Sequence, residues 1–283
     1  MSALHELNDE RFASRGLRLW IMRDDLVHPE LPGNKFRKLK YNLVEARECG
    51  HRTLLTFGGA YSNHIRATAA AGALHGFATI GVIRGDELAG KPLNPSLAYA
   101  AERGMRLVFV DRAAYRRRAE SAYLDELRQE YGDFFAIPEG GSNPAAVRGC
   151  AELPSEIDVP YDVVAVACGT GGTLAGIAAG LPSDKAAVGF AVLKGDFLAR
   201  DVAELQRQTY GETRGSWRVD GSAHCGGYAR TTPELTAFLA DFARRHGIAP
   251  DEIYVGKMLY GLFAAAHRGE FAPGTRIVAV KTG

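Results

Sequence analysis

The sequence predicts an α/β protein carrying two mostly parallel sheets flanked by helices, and three observations carry that prediction. The stretch HRTLLTFGGAYSNHIRATAAAGALHG runs from an apolar strand through a glycine turn into a helix of small residues. Later in the chain, YDVVAVACGTGGTLAGIAAGL repeats that layout. Other short apolar runs, FATIGVIRG and AAVGFAV among them, follow each of these at regular intervals. Short apolar runs that hand on to helices are the mark of parallel strands buried on both faces.

Taken in chain order, RLWIMRDD reads as an N-terminal strand. The turn Pro32-Gly33-Asn34 then opens a helix, with Asn34 at or near the N-cap and Phe36, Leu39 and Leu43 on one apolar face. A first assembly follows from about Arg47 to Ile137: a strand over Thr53–Phe57 with its helix, FATIGVIRG as a strand, NPSLAYAAERG as a helix, and MRLVFVD as a strand. It ends before the glycine-rich PEGGSNP. The second assembly begins with a strand over Val163–Ala167 and continues with AAVGFAV, DEIYVG and TRIVAVKTG. RLWIMRDD and the helix from Lys35 have no partner inside the first assembly. They are therefore assigned to the second, giving an expected small domain over 47–140 and a discontinuous large one over 1–46 and 141–283.

The bulk properties narrow the functions. A chain of 283 residues has ample length for a substantial core. A formal charge of only +1 leaves no global footprint for nucleic acid or an anionic membrane, so the basic run Lys35, Arg37, Lys38 and Lys40 needs a local explanation. Cys49, Cys150, Cys168 and Cys225 are widely separated with no CxxC pair, which argues against a zinc site or a disulfide framework and suits a reducing compartment. No apolar segment approaches the ~20 residues needed to span a bilayer, and the start MSALHELNDERFASRG is too polar for a secretory segment. The expected location is the cytoplasm, with no metal, no membrane and no nucleic acid as partner.

Three local patterns carry chemistry. In ACGTGGTLAGI, residues Gly169, Thr170, Gly171, Gly172 and Thr173 stand just ahead of a helix. Amides at a helix N-terminus make an anion site, and the threonines add hydroxyl donors. A tight strand-to-helix turn is the competing structural explanation. The loop is neither a Walker A sequence nor a GxGxxG, because Leu174 stands at the last glycine position. In FGGAYSNHIRA, Ser62, Asn63 and His64 cluster at a helix start; capping needs only one of them, so function and capping both remain open. In GNKFRKLKY, Lys35 and Lys38 lie three apart at a helix N-terminus, where cations oppose the macrodipole unless an anion or a covalent partner compensates. Arg37 and Lys40 read as a solvated face. Lys35 follows the turn directly, and the dipole and neighbouring cation there favour the free amine that Schiff-base chemistry requires.

Taken together, GNKFRKLKY, TFGGAYSNHIR and CGTGGTLAG, in that order and spacing, resemble the pyridoxal-phosphate enzymes that include 1-aminocyclopropane-1-carboxylate deaminase and D-cysteine desulfhydrase. The resemblance runs from Arg23 to the C-terminal KTG. It implies the tryptophan-synthase-β-like fold, fold type II, with pyridoxal 5'-phosphate as cofactor, a small amino acid as substrate and a homodimeric assembly. By that resemblance Lys35 is the lysine that bonds the cofactor. Lys38 and the Gly169–Thr173 loop contact its phosphate, Asn63 its ring hydroxyl, and Thr282 its pyridine nitrogen. Ser62 faces the substrate carboxylate, and Tyr228 and Tyr254 match two catalytic tyrosines; without the resemblance each tyrosine reads as core or rim. Two positions depart from the deaminase pattern: Val255 stands where deaminases carry Glu, and Thr282 where they carry Leu. A neutral hydroxyl beside the pyridine nitrogen makes the ring a weaker electron sink, which suits β-elimination better than cyclopropane opening. The resemblance thus implies D-cysteine desulfhydrase activity first and the deaminase second. A cofactor-binding protein with little catalysis is the alternative of another class. Lys194 has no assigned role.

Overall fold

The computed structural model describes residues 3–283. Its ten strands are β1 (Ala3–Leu7), β2 (Arg18–Arg23), β3 (Thr53–Gly59), β4 (Ala78–Arg84), β5 (Met105–Val110), β6 (Phe135–Ile137), β7 (Val163–Cys168), β8 (Ala186–Ala191), β9 (Ser216–Asp220) and β10 (Arg276–Val280). The chain divides into two compact units, one comprising the residues up to Asn34 together with Val147–Gly283, the other Lys35–Ala146.

The larger unit holds a six-stranded sheet in the order β1-β2-β10-β7-β8-β9. Only β1 runs antiparallel, against β2; the other pairings are parallel. Alternation along each strand builds two separate cores. Leu19, Ile21, Ala165, Ile277 and Ala279 face one layer, against the helix Val255–His267. Trp20, Met22, Val164, Val166, Val278 and Val280 face the other, with Leu174 and Ile177 of the helix Gly172–Gly180. Small residues set how closely that helix packs: a Cβ at Gly180 would stand 2.0 Å from the Ala151 carbonyl oxygen.

The smaller unit holds a four-stranded parallel sheet in the order β5-β4-β3-β6. Leu55, Phe57, Ile80 and Val82 pack with Tyr115, Tyr123 and Phe134 on one face. Ile83 and Met105 pack on the other with Ile65 and Ala69 of the helix Asn63–His75 and Leu97 and Ala100 of the helix Pro95–Glu102.

Three expectations need adjusting. DEIYVG is not a strand: Asp251 caps the next helix, accepting the amides of Ile253, Tyr254 and Val255, and the chain turns there instead of extending. The compact division falls after Asn34 and after Ala146, so the helix Asn34–Glu48 lies almost wholly in the smaller unit. Its polar side chains explain that membership, because Lys38 and Asn42 both bond to the 140–143 segment of that unit. Arg37 is buried, not solvated, whereas Lys40 is exposed as the charge pattern predicts. Strands β1, β6 and β9 have no counterpart in the sequence reading. No helix among the described residues is long and apolar enough to cross a membrane.

Candidate active site

In the larger unit the chain goes from β7 to β8 to β9 on one side, and later places β10 on the other side of β7. The carboxyl end of β7 is therefore a switch point, the place where open α/β sheets bind ligands. The Gly169–Gly172 turn stands there. Gly171 has φ of 80° at the N-cap of the helix Gly172–Gly180, and no side chain caps that helix. The amides of its first turn have no intrahelical acceptor and sit at the positive end of the macrodipole. Thr173, buried in that turn, accepts a 2.9 Å hydrogen bond on Oγ1 from the Asn34 side-chain amide. Its own hydroxyl proton is thereby directed elsewhere.

Asn34 is the residue before Lys35, and its amide goes to Thr173 while the helix already includes Asn34 as its first residue. Gly33 fixes the approach. It adopts φ of +60°, its amide donates to the Asp24 carbonyl at 3.0 Å, and a Cβ there would lie 2.6 Å from the Thr282 carbonyl carbon. Thr282, 4% exposed, thus lies backbone to backbone against the turn that leads into Lys35. The tail is fastened upstream, where the Lys281 amide donates to the Met22 carbonyl and Lys281 Nζ pairs with Asp25 at 2.9 Å. The larger unit therefore joins, through one turn, the glycine loop and Thr282, which are far apart in sequence.

Tyr254 lies over the same loop: a Cβ on Gly169 would stand 3.3 Å from Tyr254 Cε1. The ring of Tyr228 meets Tyr254 edge-on, with centroids 6.1 Å apart at 67°. Tyr228 is 42% exposed. It rides on a loop in which Cys225 and Ala229 are the two non-glycine residues of positive φ, at 52° and 54°. Each such residue costs on the order of 1–2 kcal/mol of backbone strain. Lys194 is exposed, and its backbone and Cβ run beside Gly227.

In the smaller unit β3 has β4 on one side and β6 on the other, which makes the carboxyl end of β3 a second switch point. Gly58 and Gly59 end that strand, and a Cβ on Gly58 would lie 2.8 Å from Ser62 Oγ. Ser62 caps the helix Asn63–His75, its hydroxyl accepting the Ile65 amide at 3.3 Å. Asn63 then opens the helix with an exposed side chain. Capping therefore accounts for Ser62 and does not use the Asn63 side chain.

His64 was grouped with these residues by sequence but given no role. It is buried, and its Nε2 lies 2.8 Å from Thr56 Oγ1, whose hydroxyl donates to the Ile137 carbonyl. Since Thr56 spends its proton on Ile137, His64 Nε2 must be the donor, and Nδ1 carries a lone pair. Nδ1 is buried without a hydrogen-bond partner. Burial, reinforced by the charges of Lys35 and Lys38, holds the imidazole well below its ordinary pKa, so it is neutral. Lys38 itself is buried, and its ammonium donates to the Gly140 carbonyl at 3.0 Å and to Ser142 Oγ at 2.9 Å. Lys35 is half-buried.

Two further residues escaped the sequence reading. Asp251 organises the backbone that presents Tyr254, accepting its amide at 2.6 Å. Lys257, fully buried, donates to the carbonyls of His224 and Gly227. A lone lysine inside the apolar run VGKMLYGLF was the available signal.

The donors fit pyridoxal phosphate. An uncapped helix start opened by glycines suits a phosphate monoester, Thr173 adds a buried hydroxyl, and the paired rings of Tyr228 and Tyr254 offer a wall with two phenolic groups.

A match to the family described as "Pyridoxal-phosphate dependent enzyme" covers residues 4–283. The chain is 32% identical to a mitochondrial bifunctional D-cysteine desulfhydrase/1-aminocyclopropane-1-carboxylate deaminase of Arabidopsis thaliana, over 87% of this chain and 67% of that protein. It is 30% identical to a D-cysteine desulfhydrase of Yersinia pestis, over 95% of this chain and 87% of the relative. A crystal structure of an ACC deaminase homologue superposes with a TM-score of 0.85 at 29% identity, covering 100% of this chain and 89% of the other.

Proposed function

The chain belongs to the pyridoxal-phosphate dependent enzymes and is a lyase acting on a small amino acid, and from that premise we propose that its preferred reaction is β-elimination from D-cysteine. In that reaction D-cysteine and water become pyruvate, ammonia and hydrogen sulfide. When bound, the cofactor supplies an aldehyde that condenses with amines and a ring that draws electrons from the amino acid's Cα.

The chain's residues take these roles. Lys35 provides the amine for the aldehyde. Gly169, Thr170, Gly171, Gly172 and Thr173 receive the phosphate, and the Asn34 bond keeps Thr173 in register for it. Lys38 adds a positive charge on the phosphate side while bracing the 140–142 segment. Asn63 donates to the ring hydroxyl, and Thr282 stands at the pyridine nitrogen. Ser62 orients the substrate carboxylate. The Lys35 amine, or an oxygen of Ser62, Tyr228 or Tyr254, takes the proton from Cα. His64 keeps its neighbourhood free of one more positive charge, because it stays neutral.

One observation carries the choice of substrate. Val255, the residue after Tyr254, is fully buried in the apolar core with Leu259 and Leu262, so position 255 itself supplies no carboxylate beside that tyrosine. Together with Thr282 it supports elimination of a good leaving group over opening of a cyclopropane. The deaminase reading retains support from the superposition on an ACC deaminase homologue.

Purified holo-protein decides the matter when offered D-cysteine, L-cysteine and 1-aminocyclopropane-1-carboxylate. The expected result is pyruvate and sulfide from D-cysteine at least tenfold faster than 2-oxobutyrate from the cyclopropane. The reverse order would reassign the enzyme as a deaminase, and amino-acid-induced spectral shifts without turnover would make it a cofactor-binding protein. Borohydride reduction followed by peptide mass spectrometry is expected to find pyridoxyl on Lys35. The homodimer and the cytoplasmic location belong to the same reading, and sedimentation tests the first.

A further inference from the structure

The 224–230 loop consists of two consecutive turns that share Gly227. The Gly227 amide donates to the His224 carbonyl at 3.0 Å, and the Arg230 amide donates to the Gly227 carbonyl at 3.2 Å. In the first turn both central residues, Cys225 and Gly226, have positive φ; in the second, Ala229 does. The two carbonyls that close these turns are the two acceptors of Lys257 Nζ, at 2.9 Å for His224 and 2.6 Å for Gly227.

Lys257 is fully buried in the helix Val255–His267, and its bonds go to carbonyl oxygens, not to a carboxylate. A buried ammonium without an anionic partner opposes folding, and an apolar side chain of similar length would pack there without that cost. What the ammonium gains is hold over a loop that would not keep this conformation unaided. The helix is shaped for the same contact one turn on: Gly261, four residues later and on the same face, would bring a Cβ within 2.8 Å of Ala223 Cβ. The same helix begins at Tyr254, whose amide is fixed by Asp251. One helix therefore presents Tyr254 at its start and grips the loop bearing Tyr228 three residues further on.

We propose that Lys257 is a positioning residue, which pins both turns of the 224–230 loop and thereby holds Tyr228 edge-on to Tyr254 for the lyase reaction. The catalytic part of this inference rests on the functional reading above; the structural part does not.

The test uses holo-protein with Lys257→Met and Lys257→Gln. Trypsin cleavage after the exposed Arg230, mapped by mass spectrometry, is expected to accelerate at least tenfold in Lys257→Met and less in Lys257→Gln, whose shorter side chain keeps an amide NH₂ as donor. The cofactor absorbance is expected to persist. With D-cysteine, kcat/KM is expected to fall at least tenfold in Lys257→Met. In a Tyr228→Phe background the same substitution is expected to cause little further loss, because its effect passes through that tyrosine. Unchanged cleavage at Arg230 overturns the proposal. So do independent, multiplying losses in the double variant, which would show that Lys257 does not act through Tyr228. If neither variant folds, amide exchange in the unaltered protein decides: the Gly227 and Arg230 amides are expected to open together, and unrelated rates overturn the pinning. A protein that releases no pyruvate from any amino acid would sink the functional reading while leaving the cleavage and exchange results to judge this one.

Discussion

Gly33 shows how much one residue without a side chain can decide. Its φ of +60° and its backbone contact with Thr282 leave no room for a Cβ. Gly33→Ala is therefore expected to cost roughly 1–3 kcal/mol in strain alone, lowering the melting temperature and weakening retention of the cofactor chromophore; an unchanged melt with unchanged absorbance would refute the close approach. His64 gives a prediction in pH. Its folded pKa lies well below the ordinary 6.5, so below that pH the unfolded chain binds a proton that the folded chain does not. Stability from this residue is full above about pH 6.5 and is lost as pH falls below it. Melting curves between about pH 7.5 and 5.5 are expected to show a steeper fall for the native protein than for His64→Gln. Parallel slopes would mean that the histidine does not stay neutral. At this scale the sequence located the glycine turn ahead of the helix Gly172–Gly180 and a capping side chain, Ser62, at the start of the helix Asn63–His75. It concealed Lys257 and Asp251, because a buried lysine and a capping aspartate acquire meaning only from the carbonyls and amides that folding brings to them.

The elements were legible wherever hydrophobicity alone sets them. Strands β3, β4, β7, β8 and β10 are largely apolar, buried runs, and a parallel strand covered on both faces has little other choice, while the edge strand β5 was read from its Leu-Val-Phe-Val run although it is only half-buried. DEIYVG misled because its Ile-Tyr-Val core suits a strand, while Asp251 offers the local backbone a stronger set of bonds. The helix Val255–His267 depends on that carboxylate at its start. Asp251→Ala is expected to destabilise the protein by about 1–2 kcal/mol, as for loss of a helix cap, and to disturb Tyr254 enough to lower kcat with D-cysteine. Asp251→Asn, which keeps acceptor capacity, is expected to recover much of the stability in urea titrations. The helix Asn34–Glu48 falls in a different compact unit from the expected one because its apolar face could be read but the partners of its polar face could not: Lys38 reaches Gly140 and Ser142, and Asn42 reaches Asn143.

For the whole molecule, each unit has its own core, and the two should be independently sensitive to damage. Phe57 belongs to the core of the smaller unit and Phe190 to that of the larger. Alanine at either position is expected to cost about 3–5 kcal/mol, and because the residues share no core cluster the losses should add within about 0.5 kcal/mol in urea unfolding. A double variant far from that sum would show that the cores are coupled. The order of the larger sheet also has a consequence for biosynthesis. β10 lies between β2 and β7, yet it leaves the ribosome long after both. At ordinary rates of translation the gap after β2 lasts on the order of tens of seconds. Until β10 emerges, β2, and β7 from the moment it is made, each expose an edge awaiting the strand that will join them. The stretch Lys35–Ala146, continuous in the chain, is free to fold meanwhile. The nascent polypeptide therefore needs shielding on β2 and β7 in particular, and chaperone depletion should harm a slowly translated message for this protein more than a fast one.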